Sequence, residues 1–422
     1  MKNKKKIIFI EPHMDGPRGH HMDSLIAKSI SLQKYGKIYW IVSNKFKQRQ
    51  AGIPKYVKII NILDTAKRKI SFFEIGNTLN TFFLILKNFF LSMLIIFQLL
   101  KSREYAWIYP FFYNFFSFPK YLPSFFSSFE NLQTNQNDQI IFNSCSDLND
   151  YELAFFLYFY KKNRPTFHMF IRTLPKFQTN RIKTPFYFLK KFKKINELNK
   201  KFYLYAETKL IKDFFFKICK IKVSLFHDFY FFSSKPKKTK IINIGFFGEA
   251  REDKGFSKYL PLIEKSLELD RNLNFIIQFS KVPKELQDIK KNLSQYVYKN
   301  KKIRIIPKYL NYLKYRKLLT KVHIVPILHD VERISRIGSG VIFSCIANQI
   351  PMVIPKSSFI KQNFNFKYNS YLEASSLEEY AKKILYIYEN YNYFLNESKK
   401  EAKHFQEKFN SYPFLDRIKK KK

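Results

Sequence analysis

Glycine makes up only 10 of the 422 residues, cysteine three and tryptophan two. The cysteines, Cys145, Cys219 and Cys345, are odd in number and share no metal-like spacing. That excludes a disulfide scaffold and points to a reducing, cytoplasmic compartment. Acidic residues are in short supply too, 33 against 76 Lys and Arg, a formal net charge of +43. No Asp-x-Asp pair occurs and the histidines lack ligand spacing, so no metal is expected to hold a ligand here. Long apolar runs are missing as well. Thr81–Leu100 has 15 apolar residues in 20, but Lys87, Asn88, Ser92 and Gln98 interrupt it. Its clean stretches fall far below the ~20 residues of a membrane span, and it reads as a buried or membrane-grazing helix. Met1–Lys6 is basic, yet the Ile7–Ile10 run is too short for a signal peptide and is cut by Glu11-Pro12.

What the chain does have is apolar bulk. Hydrophobic residues reach 46%, enough to fill real cores, so a disordered chain is excluded. At roughly 150 residues per domain the length fits two domains, or three. Of the 76 cations only 14 are Arg, leaving 62 Lys. Readers of nucleic acid lean on Arg for bidentate contacts, whereas Lys supplies point charge, so nucleic acid is not the expected partner. Two readings of the Lys excess stay open: compositional bias with a solvated surface, and attraction to an anionic membrane surface. The aromatic-rich stretch Tyr105–Phe129 is either core or a segment that dips into such an interface.

Short β-branched runs alternate with helix-period stretches along the whole chain. Strands are expected at Lys5–Ile10, Lys37–Ser43, Tyr105–Pro110, Gln139–Asn143, Thr166–Arg172 and Lys201–Ala206, with helices at His20–Tyr35, Asn77–Lys101, Asp150–Lys162 and Thr208–Cys219. Ser233–Lys240 is polar, basic and proline-bearing, a linker by composition. After it the pattern restarts. Strands are expected at Ile241–Gly245, Asn274–Phe279, Ile303–Ile306, Val322–Pro326 and Met352–Ile354, and helices at Phe256–Leu269, Tyr309–Leu319 and Gly340–Asn348. A helical tail follows, Ser376–Asn390 and Tyr393–Phe409. This is an α/β chain of two Rossmann-like domains, residues 1–232 and 241–422, joined by residues 233–240.

A chain under pressure to lose glycine keeps it where φ is positive or backbones approach closely. Seven of the ten sit in three strand-to-helix loops: Gly16 and Gly19; Gly245, Gly248 and Gly255; Gly338 and Gly340. In a parallel sheet such loops lie at the carboxyl ends of the strands, where ligands bind. In the second loop Arg251 and Lys254 stand beside backbone N–H groups, a pattern suited to a diphosphate, or alternatively a solvated charged turn with Glu252 and Asp253. In the third, Ser339-Gly340 opens an apolar helix whose N-terminal amides and dipole favour an anion, or simply forms an N-cap.

Together these residues resemble the retaining, nucleotide-sugar-dependent glycosyltransferases of the GT-B fold, in particular the family 4-like group. That group carries G-x-x-R-x-x-K-G-F after the first strand of its second domain, and Gly248, Arg251, Lys254, Gly255 and Phe256 match it. A strand ending in Pro, an S-G helix start, a small-residue helix and a P-V-V strand correspond to Val322–Pro326, Ser339-Gly340, Ala347 and Pro351–Ile354. The resemblance runs from Lys5 to about Phe409. It implies that Gly248, Arg251, Lys254, Ser339, Gly340 and Ser344 hold the donor, with Gly16 and Gly19 approaching its diphosphate from the first domain and His20 on the acceptor side. Arg172, on the same strand face as His168, and Glu332 are the catalytic candidates, although a structural ion pair explains Arg172 equally well. The group's two glutamates, eight apart, fall here on Arg336 and Ser344. The implied activity moves a sugar from a nucleotide-sugar donor to a surface-glycan or lipid-linked acceptor, without metal or other cofactor, in the cytoplasm or peripherally on the inner face of the membrane. Two alternatives keep the fold: a catalytically degenerate membrane scaffold, and a sugar-nucleotide epimerase.

Overall fold

The structure is a computed structural model that describes residues 5–11, 14, 19–43, 45–46, 52–63, 132–145, 165–172, 201–219, 222–226, 241–331 and 339–419. The expected elements at Asn77–Lys101, Tyr105–Pro110 and Asp150–Lys162, the Tyr105–Phe129 stretch and the linker 233–240 lie outside these residues.

The first sheet contains β1 (Lys6–Glu11), β2 (Lys37–Ser43), β3 (Lys58–Leu63), β4 (Gln139–Cys145), β5 (Thr166–Ile171), β6 (Phe202–Ala206) and the short β7 (Ser224–Leu225). Its order is β3-β2-β1-β4-β5-β6-β7 and every pairing is parallel. Ile7, Ile8, Phe9 and Ile10 are all fully buried, as a strand covered on both faces requires. Helix α1 (Gly19–Leu32) lays Met22, Leu25 and Ile26 on one face of this sheet. Helix α2 (Lys209–Cys219) follows β6.

The second half repeats the plan. Strands β8 (Asn243–Gly248), β9 (Asn274–Phe279) and β10 (Ile303–Ile306) run parallel in the order β10-β9-β8. Strands β11 (Val325–Pro326), β12 (Met352–Pro355) and β13 (Tyr371–Ala374) form a second parallel set in the order β11-β12-β13. A parallel bridge between Ile244 and Ile324 joins the two sets, and Gly245 N donates to Ile324 O at 2.9 Å. The combined order is β10-β9-β8-β11-β12-β13, a doubly wound sheet whose order reverses between β8 and β11.

Helices cover both faces. On one, α3 (Tyr259–Leu269) and α8 (Leu377–Glu389) pack against β8 and β9 through Leu262, Ile263, Tyr380 and Ile384. On the other lie α5 (Tyr312–Leu319) and α6 (Gly340–Ala347), through Leu319, Ile342 and Ile346. Helices α4 (Gln287–Lys299) and α7 (Ser358–Phe364) fill the remaining connections. Strands β3, β7 and β13 and helix α7 are short and were not expected; helix α4 was passed over although Ile289, Leu293, Tyr296 and Val297 recur at helical spacing and pack on the core.

The expected tail is longer than its periodicity indicates. Helix α9 (Tyr391–Ser411) is followed by α10 (Pro413–Lys419), and Phe409, Phe414, Leu415 and Ile418 share one core with β1, β2 and α1. The end of the chain therefore packs in the first half, although by sequence it belongs to the second. Arg417 stacks on the Tyr203 ring at 4.1 Å and donates to Tyr205 Oη at 3.0 Å. Because Arg417 can only donate, the Tyr205 hydroxyl proton is left for His168 Nδ1, at 2.9 Å, and His168 Nε2–H donates to Gln139 Oε1 at 2.8 Å. Burial holds the fully enclosed His168 imidazole well below its ordinary range, and the charges of Arg417 and Lys5 push it the same way.

The sign of the linkage follows. The unfolded chain takes up a proton at this position as pH falls through about 6.5, while the folded imidazole resists it, so stability contributed by neutral His168 is present above that pH and lost below it. Thermal denaturation between pH 7 and pH 5 is expected to show a smaller fall in Tm for His168→Gln than for the wild type. Equal slopes would remove His168 as the titrating group.

Candidate functional site

The second sheet reverses its strand order between β8 and β11, and the loops leaving those two strands meet there. After β8 the chain enters Glu249–Gly255, with a short 3-10 turn at Glu252–Lys254. Gly248 has φ +128°, and a Cβ on it would lie 3.6 Å from Lys254 Cδ and Nζ. That separation is ordinary contact, so it is the positive φ at the end of β8, not space, that calls for glycine. Gly255 ends the turn at φ +75°, and a Cβ there would fall 2.3 Å from Leu328 O. The backbones of the two loops therefore touch, and Asp330 N donates to Asp253 O at 3.1 Å to tie them further.

Arg251 and Lys254 converge on one carboxylate. Arg251 Nη1 lies 3.2 Å and Lys254 Nζ 3.5 Å from Glu249 Oε2, while Arg251 makes a two-pronged contact with Asp253 at 3.0 and 2.6 Å. Burial lowers the Lys254 ammonium below its usual range, with Arg251 adding to the effect and Glu249 opposing it. Burial pushes the Glu249 carboxyl up, but Lys254 and Arg251 together outweigh it and hold it below the usual carboxylate range. His329, three residues past the end of β11, is 8% exposed, and its imidazole is lowered to about 3 by burial, then by the charges of Lys254 and Arg251. Sequence reasoning passed over His329 and Glu249. The available signal was a polar residue just past a strand ended by Pro326, and an acid between a retained glycine and two cations.

Ser339 is 5% exposed and caps α6, its Oγ accepting from Ile342 N at 3.4 Å; Gly340 is the first residue of that helix. Capping engages one early amide and leaves others of the first turn for an anion. Ser344, 3% exposed, lies in the second turn of the same helix, and its carbonyl accepts from Asn348 Nδ2 at 2.7 Å.

In the first half, the strand order reverses between β1 and β4, and a buried polar network sits at their carboxyl ends. Asn143 Nδ2 donates to Glu11 Oε2 at 2.9 Å, and Asn143 Oδ1 accepts from Lys28 Nζ at 2.6 Å. Lys28 is fully buried over the Phe170 ring, 4.1 Å from its centroid. Arg172, 4% exposed, donates to Asn143 O at 3.2 Å and Ser24 Oγ at 3.1 Å and lies 3.8 Å from Glu207 Oε1. Arg172 is thus a buried ion pair bracing the ends of β4 and β5, the alternative its spacing left open. Gly19 and His20 are the first two residues of α1, and α1 approaches α5 and α6 of the second half. Gly16, Glu332, Gly338 and Arg336 lie outside the described residues.

Two parallel sheets, one of the order 3-2-1-4-5-6-7 and one of the order 3-2-1-4-5-6, each reversing at a switch point, have solved counterparts. The chain is similar to Staphylococcus aureus TarM, solved with fondaparinux, alpha-GlcNAc-glycerol and UDP, at a TM-score of 0.59 and 12% identity over 98% of both chains. The fold is GT-B. Another TarM crystal structure is spanned over 54% of its own length. Sucrose-phosphate synthase from Thermosynechococcus elongatus aligns at a TM-score of 0.58 and 10% identity over 99% of this chain and 96% of its own. Anabaena HepE, solved with UDP and glucose, aligns at 0.52 and 12% identity over 98% and 97%. No protein-family model matches the chain, and no curated protein matches it in sequence. Among the described residues of this GT-B fold, no helix is long and apolar enough to cross a membrane.

With Glu249 lying on both cations, an incoming anion meets a negative charge already in place. Glu249→Gln removes that charge and is expected to tighten pyrophosphate binding by roughly fivefold or more at low salt. Isothermal titration at two ionic strengths checks it; unchanged affinity would place Glu249 away from the anion's path.

Proposed function

We propose that the protein is a glycosyltransferase that moves a sugar from a nucleotide-sugar donor to a surface-glycan or lipid-linked acceptor, as in the family 4-like group. The observation that carries this reading is the pair Arg251 and Lys254, converging at the switch point of the second sheet on a single carboxylate. Cleavage of a nucleotide-sugar bond places negative charge on the departing diphosphate. Two fixed cations in a partly buried loop stabilise that charge more than water does, because they need no reorientation as it develops. On this reading they supply the positive charge themselves and no metal is required. The first-turn amides near Gly340 add partial positive charge from the other side.

The remaining roles rest on the resemblance. On it, Ser339 and Ser344 serve the donor from α6, Gly16, Gly19 and His20 would do so from the first half, and Glu332 is the catalytic candidate that remains, since Arg172 is taken up by its buried ion pair. Retention of anomeric configuration and a hexosyl donor belong to the same reading. The UDP in the TarM and HepE structures supports a nucleoside diphosphate as the leaving group. A second reading is favoured by Ser344, which stands where the group has a glutamate: a transferase-like scaffold that holds a ligand without turning it over.

Arg251→Ala and Lys254→Ala are each expected to weaken UDP or GDP binding at least tenfold while leaving the unliganded Tm within a few degrees, measured by titration and thermal shift. Retained affinity in both variants removes the transferase reading. Binding without transfer or hydrolysis of any UDP-, GDP- or CMP-sugar selects the scaffold.

The Lys surplus supports a peripheral membrane location, on the inner face of the cytoplasmic membrane. Flotation with vesicles containing anionic lipid is expected to carry the protein in low salt and release it at high salt. Equal recovery with neutral vesicles, or none with either, refutes the electrostatic attraction.

A further inference from the structure

The diphosphate site proposed above has a third side chain that no motif marked. His329 stands at the carboxyl end of β11, on the loop whose backbone is pressed against Gly255 and joined to Asp253. Its position is set by those contacts and not by a side-chain partner. More than nine-tenths of the residue is buried, no hydrogen bond to either ring nitrogen forms among the described residues, and neither nitrogen is completely enclosed. With no such partner on either nitrogen and both keeping some access to the surface, the imidazole can bond an arriving acceptor. The groups whose charge reaches it are Lys254 and Arg251, the same two that face the anion. Glu249 and Asp253 are engaged with those cations, and Asp330, the next residue along, is exposed.

We propose that His329 is the third ligand of the diphosphate, giving an N–H to a phosphate oxygen held between Arg251 and Lys254. This rests on the diphosphate reading of the loop and extends it to a residue outside the motif. Burial first, and then the neighbouring cations, keep the imidazole neutral in the free protein, so it enters the site as a donor of one hydrogen bond without adding to the repulsion between Arg251 and Lys254. An arriving diphosphate cancels part of their field and raises the proton affinity of His329. The contact therefore strengthens as the ligand seats.

The test uses the full chain, with inorganic pyrophosphate and UDP as probes. His329→Leu is expected to weaken both by about tenfold, the size of one hydrogen bond to a charged group, and His329→Asn, which keeps a neutral donor, by less. The ring nitrogen signals of His329, assigned by comparison with His329→Asn in NMR spectra, are expected to shift on adding pyrophosphate, and their titration midpoint to rise. If His329→Leu binds pyrophosphate as tightly as the wild type while Arg251→Ala does not, the diphosphate site stands and His329 is no part of it. If His329→Leu fails to fold, the wild-type spectrum decides: signals unmoved by saturating pyrophosphate overturn the assignment. Failure of the wild type to bind either probe overturns the diphosphate reading itself, and this inference with it.

Discussion

The contact on which the proposed site depends is the backbone approach of Gly255 to Leu328. Two loops that leave different strands, more than 70 residues apart in the chain, are held so closely that no Cβ fits between them. That approach follows from the pairing of β8 with the segment before β11, where Ile244 bridges Ile324. Parallel pairing brings both strand ends to one edge of the sheet, and the order reversal sends their helices to opposite faces. Lys254, Arg251 and His329 are gathered where the two loops meet, close enough for the two cations to act on the imidazole. Any larger residue at position 255 would push the loops apart and separate the cations from the imidazole.

Where the loops meet, charge is balanced locally. Arg251 and Lys254 are not bare cations; Glu249 and Asp253 hold them in place. The arrangement orders two long side chains before any ligand arrives, which lowers the entropy lost on binding, while also setting a carboxylate where an anion would sit. The first half balances its charges differently. Glu11, Lys28, Arg172 and Glu207 are buried two against two around Asn143, with the polar atoms linked to one another. A buried set of this kind is strongly destabilised by losing one member, and it stiffens the carboxyl edge of the first sheet. One cluster is half open and the other closed, and that difference separates a ligand site from a structural brace more clearly than residue type does.

Much of this was legible in the residues. Strands β2, β9 and β10 were read to the residue, and β4, β5 and β6 to within two, because buried parallel strands are short continuous apolar runs bounded by breaks. The scarce glycines located Gly248 and Gly255, since both sit at positive φ. Less was legible where pattern and packing part company. The end of β8 extends three residues past its expected stop because Phe246 and Phe247 fill both faces of the sheet. Arg172 looked like a cleft residue from its place at a strand end, but Asn143, Ser24 and Glu207 come to it from three other elements. His329 and Glu249 had no periodicity to betray them, and their surroundings are assembled from distant parts of the chain.

The residues alone determined the class of fold and the direction of search: α/β halves built on parallel sheets, and cations in a glycine-bounded loop after a strand. These are local properties, written in hydrophobic period, turn chemistry and the few positions where only glycine avoids strain. The tertiary structure decided the rest. It returned the last helix to the first sheet, turned Arg172 inward, seated Arg251 and Lys254 on one carboxylate, and brought His329 beside them. Each of those outcomes is a contact between segments far apart in sequence, and such contacts are set by which surfaces remain to be covered once the sheets have formed.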